Sequence, residues 1–378
     1  MTAAELIVSG GLCLLPGRGL AAADIVCSGG SIAEIRAPGG GAGGIDAAGC
    51  LVLPGIVDIH GDAFERQIMP RPKTMFPLDM AMRETDRQLA ANGITTAYHG
   101  ITISWEPGLR SLEQSLRVVA ALDRLEPLLA ADNRIHIRWE TFALDQAAEV
   151  LKLLARARAP LLAFNDHTSP LMKAADARSA VNRHAERAMV APERYLALYE
   201  QAIARGDGVP AAIHALAEAA RRQGVAMLSH DDRTAEDRAF YRALGAHIAE
   251  FPVTAEALDA CVDGEDVVVL GAPNVVRGGS HCGAIGAEQA VRAGTCAILA
   301  SDYFYPAPLH AALDLVERGA LPMERAWALI SANPARAAGL ADRGGIAEGL
   351  RADLLVLSPL DRQPVATVCA GRAVYRSR

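Results

Sequence analysis

Histidines and carboxylates recur at one kind of place in this sequence, the end of a short apolar run. The runs are IVDIHGD, IHIRWE, LLAFNDH, VAMLSHDD and AILASDY. The candidate ligands that they carry are His60, Asp62, Glu140, His167, His230 and Asp302. Divalent ions accept imidazole and carboxylate ligands, zinc being the first choice here and manganese or iron the alternatives. If these side chains meet, they favour hydrolysis assisted by one or two metal ions.

Spacing and neighbours suggest a role for each of the first five candidates. His60 and Asp62 stand two residues apart, so on an extended strand both side chains can reach one ion. Glu140 ends its run and could bridge two ions, or it could be a solvated loop residue. His167 and His230 each stand beside an aspartate that could fix the tautomer of a metal-bound ring, which favours a role as ligands over helix caps.

Asp302 follows CAILAS, the last of these runs. It could ligate a metal and accept a proton from the attacking water, as a general base does. The alternative is an N-cap role for the next helix, and both roles can hold together. Among the other histidines, His136 and His214 are interpreted as structural, and His99 is left open.

Strands alternate with helices through the middle of the chain. The segments with strand character are VLPGIVDIH, ITTAYHGIT, IHIRWETF, PLLAFND, VAMLSHD, HIAEFP, DVVVLGAPN and CAILASD. Helical patterns separate them, which predicts βαβ units and a parallel sheet closed into an α/β, (β/α)8 TIM-like barrel. Strand ends meet at the carboxyl mouth of such a barrel, so the candidate ligands should converge there. No GxGxxG follows the first strand, so a dinucleotide-binding fold has no support.

The two ends of the chain differ from the middle. Residues 1–52 and 344–378 carry short β-type segments and glycine-rich turns, which predict a small β-sandwich domain built from both termini. The alternative is two independent hairpins. Residues 53–343 would form the hydrolase barrel, with the longest insertion, 168–208, predicted as a helical excursion at its mouth.

Composition narrows the classes of protein. The 378 residues are 51% hydrophobic, enough for a sizeable core, and the net charge of −7 argues against a nucleic-acid partner. The seven scattered cysteines form no CxxC pair and indicate reduced thiols. No leader and no apolar run of roughly 18 residues is apparent, which predicts a cytoplasmic protein without a membrane partner. The sequence is silent on oligomeric state, and a homo-oligomer is compatible with it.

Two segments could bind an anionic substrate. The run GAPNVVRGGSHCGAIGA at 271–287 places glycine amides beside polar side chains, as a cradle for a phosphate or polyphosphate would. The segment MPRPKTMFP at 69–77 adds two cations on a proline-stiffened loop. A tight loop and solvated charges are the alternatives. The candidate substrate-binding residues are Arg71, Lys73, Asn274, Arg277, Gly278, Gly279, Ser280 and His281.

Several motifs resemble a known superfamily. LVLPG, NPARAAGL and GLRADLLVLSP are similar to segments of the amidohydrolase superfamily, whose members are metal-dependent barrels with a β-sandwich from both termini. Within it, PRPK, GITT, FNDH, SHDD, EFP, GAPNVVRGGSH and SDYFYPA resemble the PhnM-type diphosphatases of the carbon–phosphorus lyase pathway. That family acts on α-D-ribose 1-methylphosphonate 5-triphosphate. The resemblance implies hydrolysis of a phosphoanhydride to ribose 1-methylphosphonate 5-phosphate and pyrophosphate, in phosphonate catabolism.

The resemblance also implies roles for residues. His60 and Asp62 would bind the first metal, Glu140 would bridge, and His167 and His230 would hold the second. Asp302 would be the general base.

The chain departs from the family's pattern at one place. The family has HTDNLDK or similar after the first strand, where this chain has HGDAFER, so the pocket wall beside the metal would differ. Glu140, His167 and His230 fall at the third, fourth and fifth predicted strands, whereas many members of the superfamily place the histidines at the fifth and sixth. The alternative functions are hydrolysis of an amide or cyclic amide at the same site and a non-catalytic binding subunit.

Overall fold

The computed structural model describes residues 5–39, 44–169, 177–279 and 286–377. Within them, the strands form two sheets. The strands before the barrel are β1 (Leu6–Leu15), β2 (Gly19–Ser28), β3 (Ser31–Arg36), β4 (Ile45–Asp46) and β5 (Leu51–Pro54). The barrel strands are β6 (Ile56–Gly61), β7 (Ile94–Ile103), β8 (Asp132–Glu140), β9 (Leu161–Asn165), β10 (Ala226–His230), β11 (Ile248–Glu250), β12 (Val267–Gly271) and β13 (Ile298–Ala300). The strands after it are β14 (Leu354–Leu357), β15 (Pro364–Cys369) and β16 (Arg372–Arg376).

The barrel sheet is parallel and follows chain order from β6 to β13. Its first and last strands meet through a parallel bridge between Gly61 and Asp302. There the Asp302 amide donates to the His60 carbonyl, and the Asp62 amide donates to the Asp302 carbonyl, each at 2.9 Å. The predicted barrel is confirmed.

The barrel strands are short apolar runs because both of their faces are covered. All ten residues of β7 are buried, and so are all five of β9. A parallel sheet with side chains packed inside the barrel and helices outside produces such runs. Neither face is left for water, so the sequence of a strand does not show which residues point inwards.

Helices surround the barrel. They are α1 (Phe64–Ile68), α2 (Leu78–Ala91), α3 (Leu112–Leu125), α4 (Ala147–Arg156), α5 (Ala177–Arg187), α6 (Pro192–Ile203), α7 (Val209–Arg222), α8 (Ala235–Ala243), α9 (Ala255–Asp263), α10 (Ala272–Val276), α11 (Ala287–Ala293), α12 (Ala307–Glu317), α13 (Met323–Ala328) and α14 (Ala332–Ala337). Helix α3 shows how they dock. Its amide at Gln114 donates to the Ser111 hydroxyl, which caps the helix, and Val118, Leu122 and Leu125 form a buried stripe at helical spacing.

Both termini contribute to the second sheet, whose order is β16-β15-β14-β5-β1-β2-β3 with β4 beside β1. Strand β14 pairs with β5 in antiparallel register, with Leu355 opposite Leu53. This pairing joins the two ends of the chain, so the joint unit is confirmed as one continuous sheet and the two-hairpin alternative is excluded. The boundaries at residues 52 and 344 stay predictions; β5 ends at Pro54 and β6 begins at Ile56.

The described part of the insertion is helical, as predicted. Its helices α5 and α6 pack against Trp105, which follows the carboxyl end of β7. Glu106 accepts hydrogen bonds from Arg187 at 2.7 Å and from Tyr195 at 3.0 Å. The insertion therefore stands at the mouth of the barrel, held there by a buried carboxylate.

Two sequence expectations concern the whole chain. The cysteines in the described residues are free thiols, as expected. Among the same residues, no helix combines the length and the apolar character that crossing a membrane requires.

Candidate metal centre

Barrel closure assembles the first group of candidate ligands, which consists of His60, Asp62 and Asp302. Each offers a ligand atom, and these atoms all lie within 4.8 Å of one another. The backbone bonds between β6 and the end of β13 fix this proximity. Asp58 reinforces it, because its carboxylate accepts from the Ser301 hydroxyl at 2.5 Å and from the Ser301 amide at 3.0 Å.

Asp302 is a strained and electrostatically unusual member of this group. Its backbone is left-handed, with φ 54°, which a non-glycine residue seldom adopts. Burial, followed by the neighbouring Asp62 carboxylate, raises the pKa of Asp302 to about 7. Two carboxyl groups held this close favour a shared proton or a shared cation.

The second group consists of His167, His230 and Asp231, again with ligand atoms within 4.8 Å. Asp231 lies 3.6 Å from His167 Nε2 and 3.3 Å from His230 Nδ1. Its backbone is also left-handed, with φ 60°, and its amide donates to the Glu250 carbonyl at 2.9 Å. A cavity of about 390 Å³ opens beside this group, and four aspartates are among its lining residues, Asp166, Asp231, Asp232 and Asp237. Arg233 also lines the cavity, so four carboxylates face one guanidinium there and the balance favours a cation.

Glu140 lies against His167. Its Oε1 is 2.5 Å from His167 Nδ1, and its Oε2 accepts from the His167 amide at 3.2 Å. Burial opposes the charges of this pair, but their mutual attraction outweighs it, lowering the pKa of Glu140 and raising that of His167 to about 9. This contact suits a carboxylate that orients His167, and the bridging role remains a prediction.

A third group, His60, His136 and Glu250, lies deeper in the barrel with all three side chains buried. His136 Nδ1 donates to the Ile59 carbonyl at 3.0 Å, and burial lowers the pKa of His136 to about 3, so its Nε2 carries a lone pair. That atom faces Glu250 Oε2 at 3.6 Å, and neither has a hydrogen-bond partner. Glu250 Oε1 accepts from His60 Nδ1 at 2.9 Å, which leaves His60 Nε2 available to a metal.

These observations test whether the residues fit a divalent ion. The donors are imidazole nitrogens and carboxylate oxygens, which such ions accept. Burial, then Arg138, lowers the pKa of His60 well below its usual value, which keeps the ring neutral as a metal ligand must be. The buried atoms His136 Nε2 and Glu250 Oε2 have no hydrogen-bond partner. The residues fit.

A buried arginine separates the first two groups. Arg138 Nη1 lies 3.4 Å from Asp62 Oδ2, and its Nη2 donates to His230 Nε2 at 3.2 Å. Its side chain is only 5% exposed. The Arg138 guanidinium therefore places a permanent positive charge among the candidate metal ligands.

The candidate substrate-binding residues are only partly brought to this centre. A Cβ built on Gly271 would lie 3.4 Å from Asp302 Oδ2 and 3.8 Å from Asn274 Nδ2, so Asn274 flanks the first group. Arg277 is exposed, and its Nη1 donates to the Tyr303 hydroxyl at 3.4 Å.

The remaining candidates lie at the rim or cannot be placed. Gly278 has a left-handed backbone, with φ 74°, and Gly279 follows it. Arg71 and Lys73 are exposed on the loop after α1. Ser280 and His281 lie outside the described residues.

Three side chains of the unusual HGDAFER segment contact neighbouring residues of the protein. Phe64 is buried and packs edge-on against His99, with ring centroids 5.3 Å apart. Glu65 accepts two hydrogen bonds from Arg110, each at 2.9 Å. The Arg66 guanidinium lies over the Tyr303 ring, 5.6 Å from its centroid.

Sequence reasoning missed the central residues Arg138, Asp231 and Glu250, and it assigned His136 to structure. The structure brings His136 into the third group. One signal could have found two of them: His136, Arg138 and Glu140 alternate along β8, so they share a face of the strand. The motifs SHDD and IAEFP offered Asp231 and Glu250 only as neighbours of predicted ligands.

This barrel and its ligand groups define a metal-dependent hydrolase. The chain belongs to the amidohydrolase family, whose sequence model matches residues 79–375. Members of this family generally bind divalent metals.

A curated relative from Escherichia coli strain K12 is 33% identical over 322 residues, which cover 82% of this chain and 84% of the relative. It is α-D-ribose 1-methylphosphonate 5-triphosphate diphosphatase. The resemblance seen in the sequence motifs is confirmed.

Solved structures share the fold. A β-aspartyl dipeptidase from Fervidobacterium islandicum superimposes with a TM-score of 0.65 at 14% identity, covering 99% of this chain and 97% of the dipeptidase. Molinate hydrolase gives a TM-score of 0.64 at 15% identity, covering 99% of this chain and 95% of the other. At such identities the likeness concerns architecture, and the activities of these proteins do not transfer.

Proposed function

We propose that this protein hydrolyses α-D-ribose 1-methylphosphonate 5-triphosphate to ribose 1-methylphosphonate 5-phosphate and pyrophosphate, in phosphonate catabolism. The observation that carries the proposal is the first group, His60, Asp62 and Asp302, assembled by barrel closure. The 33% identical relative supplies the substrate class. The cleaved bond is the phosphoanhydride next to the α-phosphorus.

The first group would hold one divalent ion, and His167 and His230, joined by Asp231, would hold another. The nitrogen and oxygen donors suit zinc first, with manganese or iron as alternatives. When bound, a divalent ion stabilises negative charge on phosphoryl oxygens and makes water more acidic. Glu140 would orient His167 or bridge two ions.

Asp302 is proposed as the general base. It lies just after the last barrel strand, where its amide donates to the His60 carbonyl and its carbonyl accepts from the Asp62 amide. A carboxylate in this position can accept a proton from the attacking water while the phosphoanhydride breaks. Its partial exposure places it at the boundary between the barrel interior and the mouth.

The substrate would extend from this group towards the rim. Asn274 flanks Asp302, and Arg277 stands beyond it, against Tyr303. The amides of Gly278 and Gly279, with Ser280 and His281, would bind outer phosphate oxygens, and Arg71 and Lys73 would add positive charge. Arg66, which contacts the same tyrosine, would contribute to this basic rim.

Steady-state kinetics test the proposal. The protein is loaded with zinc, manganese or iron in turn and assayed for pyrophosphate release from the ribose 5-triphosphate phosphonate and for hydrolysis of a panel of N-acyl and cyclic amides. We expect pyrophosphate release in at least one metal form. Turnover of an amide without pyrophosphate release would reject the proposal in favour of amide hydrolysis. No turnover by protein that binds well under one divalent ion per chain would favour a binding subunit.

A further inference from the structure

Arg138 occupies an unusual position for a buried charge. It lies on β8 between His136 and Glu140 and shares their face of the strand. Its side chain therefore projects into the barrel among the ligand groups, with Asp62 on one side and His230 on the other. Gly100 on the neighbouring strand leaves room for it, since a Cβ there would lie 3.0 Å from Arg138 Cδ.

Few acceptors surround this guanidinium. Arg138 offers five N–H donors. Its single ion-pair contact within the described residues is Asp62 at 3.4 Å, its other contact is a histidine nitrogen at 3.2 Å, and its Nε has no partner.

Other buried arginines of this chain are well paired. Arg238 lies 3.0 Å from Asp232 and 2.8 Å from Asp266, and Arg134 makes bonds of 3.0 and 2.9 Å to Asp132. A buried charge without close partners is costly to the folded state. Arg138 therefore lacks the closely bonded carboxylate that these buried arginines have, since its contact with Asp62 is 3.4 Å long.

We propose that Arg138 binds the phosphoryl group under attack, with its planar fork on two non-bridging oxygens. A guanidinium matches two oxygens of such a group, which a lysine ammonium does not. The location selects the phosphoryl group at the centre, because Arg138 is buried between the first and second groups, whereas Arg277 is exposed. This inference rests on the proposed function for its substrate and assigns specificity for a phosphoryl group to β8.

Inorganic pyrophosphate is the probe, because either of its phosphoryl groups can occupy the centre. Isothermal titration calorimetry measures its binding to the metal-loaded wild type, Arg138→Met, Arg138→Lys and Arg134→Met, and elemental analysis measures the metal content of each. Arg134→Met is the matched control, since it changes a buried arginine of the same strand at the opposite end of the barrel.

We expect Arg138→Met to keep its metal and to bind pyrophosphate about 10- to 100-fold more weakly, as the loss of charge-assisted bonds predicts. Arg138→Lys should fall between, because it keeps the charge without the fork. Arg134→Met should bind like the wild type.

Three results would overturn the role of Arg138. They are wild-type affinity in Arg138→Met, loss of metal from that variant, and a wild-type protein that does not bind pyrophosphate. If Arg138→Met does not fold, wild-type affinity in Arg138→Lys would overturn it. Turnover of the triphosphate by the wild type is measured separately. If the wild type does not turn over the triphosphate but its pyrophosphate binding depends on Arg138, the proposed function is rejected and the role of Arg138 is kept.

Discussion

The two ends of strand β8 use similar residues in opposite ways. At the amino end, Asp132 and Arg134 belong to a closed network of paired charges. At the carboxyl end, Arg138 and Glu140 belong to a centre with unpaired donors and acceptors. One strand of nine residues thus spans the part of the barrel that stabilises the fold and the part that is built for chemistry.

At the amino end of β8, the buried charged groups are paired with one another. The Asp132 carboxylate accepts from Arg134 at 2.9 Å, from Arg158 at 2.7 Å and from Arg343 at 2.7 Å. Arg343 also bonds to the Thr96 hydroxyl at 2.8 Å. Buried ions paired this closely stabilise the native geometry because separation would leave uncompensated charge.

The carboxyl end carries strain instead. Asp231, Phe251 and Asp302 each follow a barrel strand with a left-handed backbone, at φ values of 60°, 53° and 54°. Such conformations cost roughly 1–3 kcal/mol each. The same end holds the unpartnered atoms of His136, Glu250 and Arg138. The contrast teaches that the charges of the amino end are paired within the protein, whereas the carboxyl end is incomplete until it binds ligands.

The largest expected effect comes from breaking the amino-end network. Asp132→Ala should lower the free energy of unfolding by about 3–5 kcal/mol, because buried Arg134 and Arg343 lose their shared carboxylate. Urea unfolding followed by circular dichroism measures this. Asp145→Ala, which removes an exposed ion pair with Arg205, is the control and should leave the unfolding midpoint unchanged. If both variants lowered the free energy of unfolding equally, the amino-end network would stabilise the fold no more than an exposed ion pair does.

At the carboxyl end, Asp302→Asn should keep the fold and most of the metal while turnover falls at least about 100-fold, the usual scale for loss of a general base. The fold should survive because asparagine tolerates the left-handed backbone that this position requires. Elemental analysis and circular dichroism are the controls for the kinetic measurement. Near-normal turnover would remove Asp302 from the mechanism.

A smaller effect is expected at the seam where the barrel closes. A Cβ on Gly61 would lie 2.8 Å from Asp58 Oδ2 and 3.1 Å from the Tyr305 ring. Gly61→Ala should therefore lower the free energy of unfolding by about 1–3 kcal/mol, as overpacking does. Gly345→Ala is the control, since its Cβ would meet Leu350 at an ordinary 3.7 Å. If Gly61→Ala and Gly345→Ala had the same free energy of unfolding, the residues around Gly61 would be able to shift and accommodate a methyl group.

The smallest expected effect is a change in acid sensitivity. Burial raises the pKa of Asp132, but its three arginines outweigh burial and hold that pKa below its usual value. A lowered folded-state pKa adds stability above the unfolded pKa of about 4, and that stability is lost as the pH falls through the folded pKa. The stability gap between wild type and Asp132→Ala should therefore narrow below about pH 4. A gap that stays constant down to about pH 2 would contradict the pKa shift.

The strand-end ligands were predictable because a parallel barrel brings all its carboxyl ends to one mouth. That rule predicted that His60, Asp62, His167, His230 and Asp302 meet at this mouth, but it did not predict which of them group together. The joint terminal sheet was also predictable, since β-type segments flank the α/β middle on both sides.

Other features could not be predicted because they depend on which face of a strand is internal. Strand β8 is buried on both faces, so the alternation of His136, Arg138 and Glu140 with apolar residues shows that they share a face but not that this face points inwards. The pairing of Glu140 with His167 depends on the register between β8 and β9, where Glu140 lies opposite Asn165.

The sequence by itself determined the kind of chemistry, since residue types at strand ends limit the ligands to nitrogen and carboxylate oxygen. The tertiary structure alone decided the grouping of those ligands and the placement of Arg138 between them. The physical reason is that strand order follows from local patterns, whereas the distance between two side chains on different strands follows from register, closure and packing. Those three are properties of the assembled barrel, and no single segment of the chain contains them.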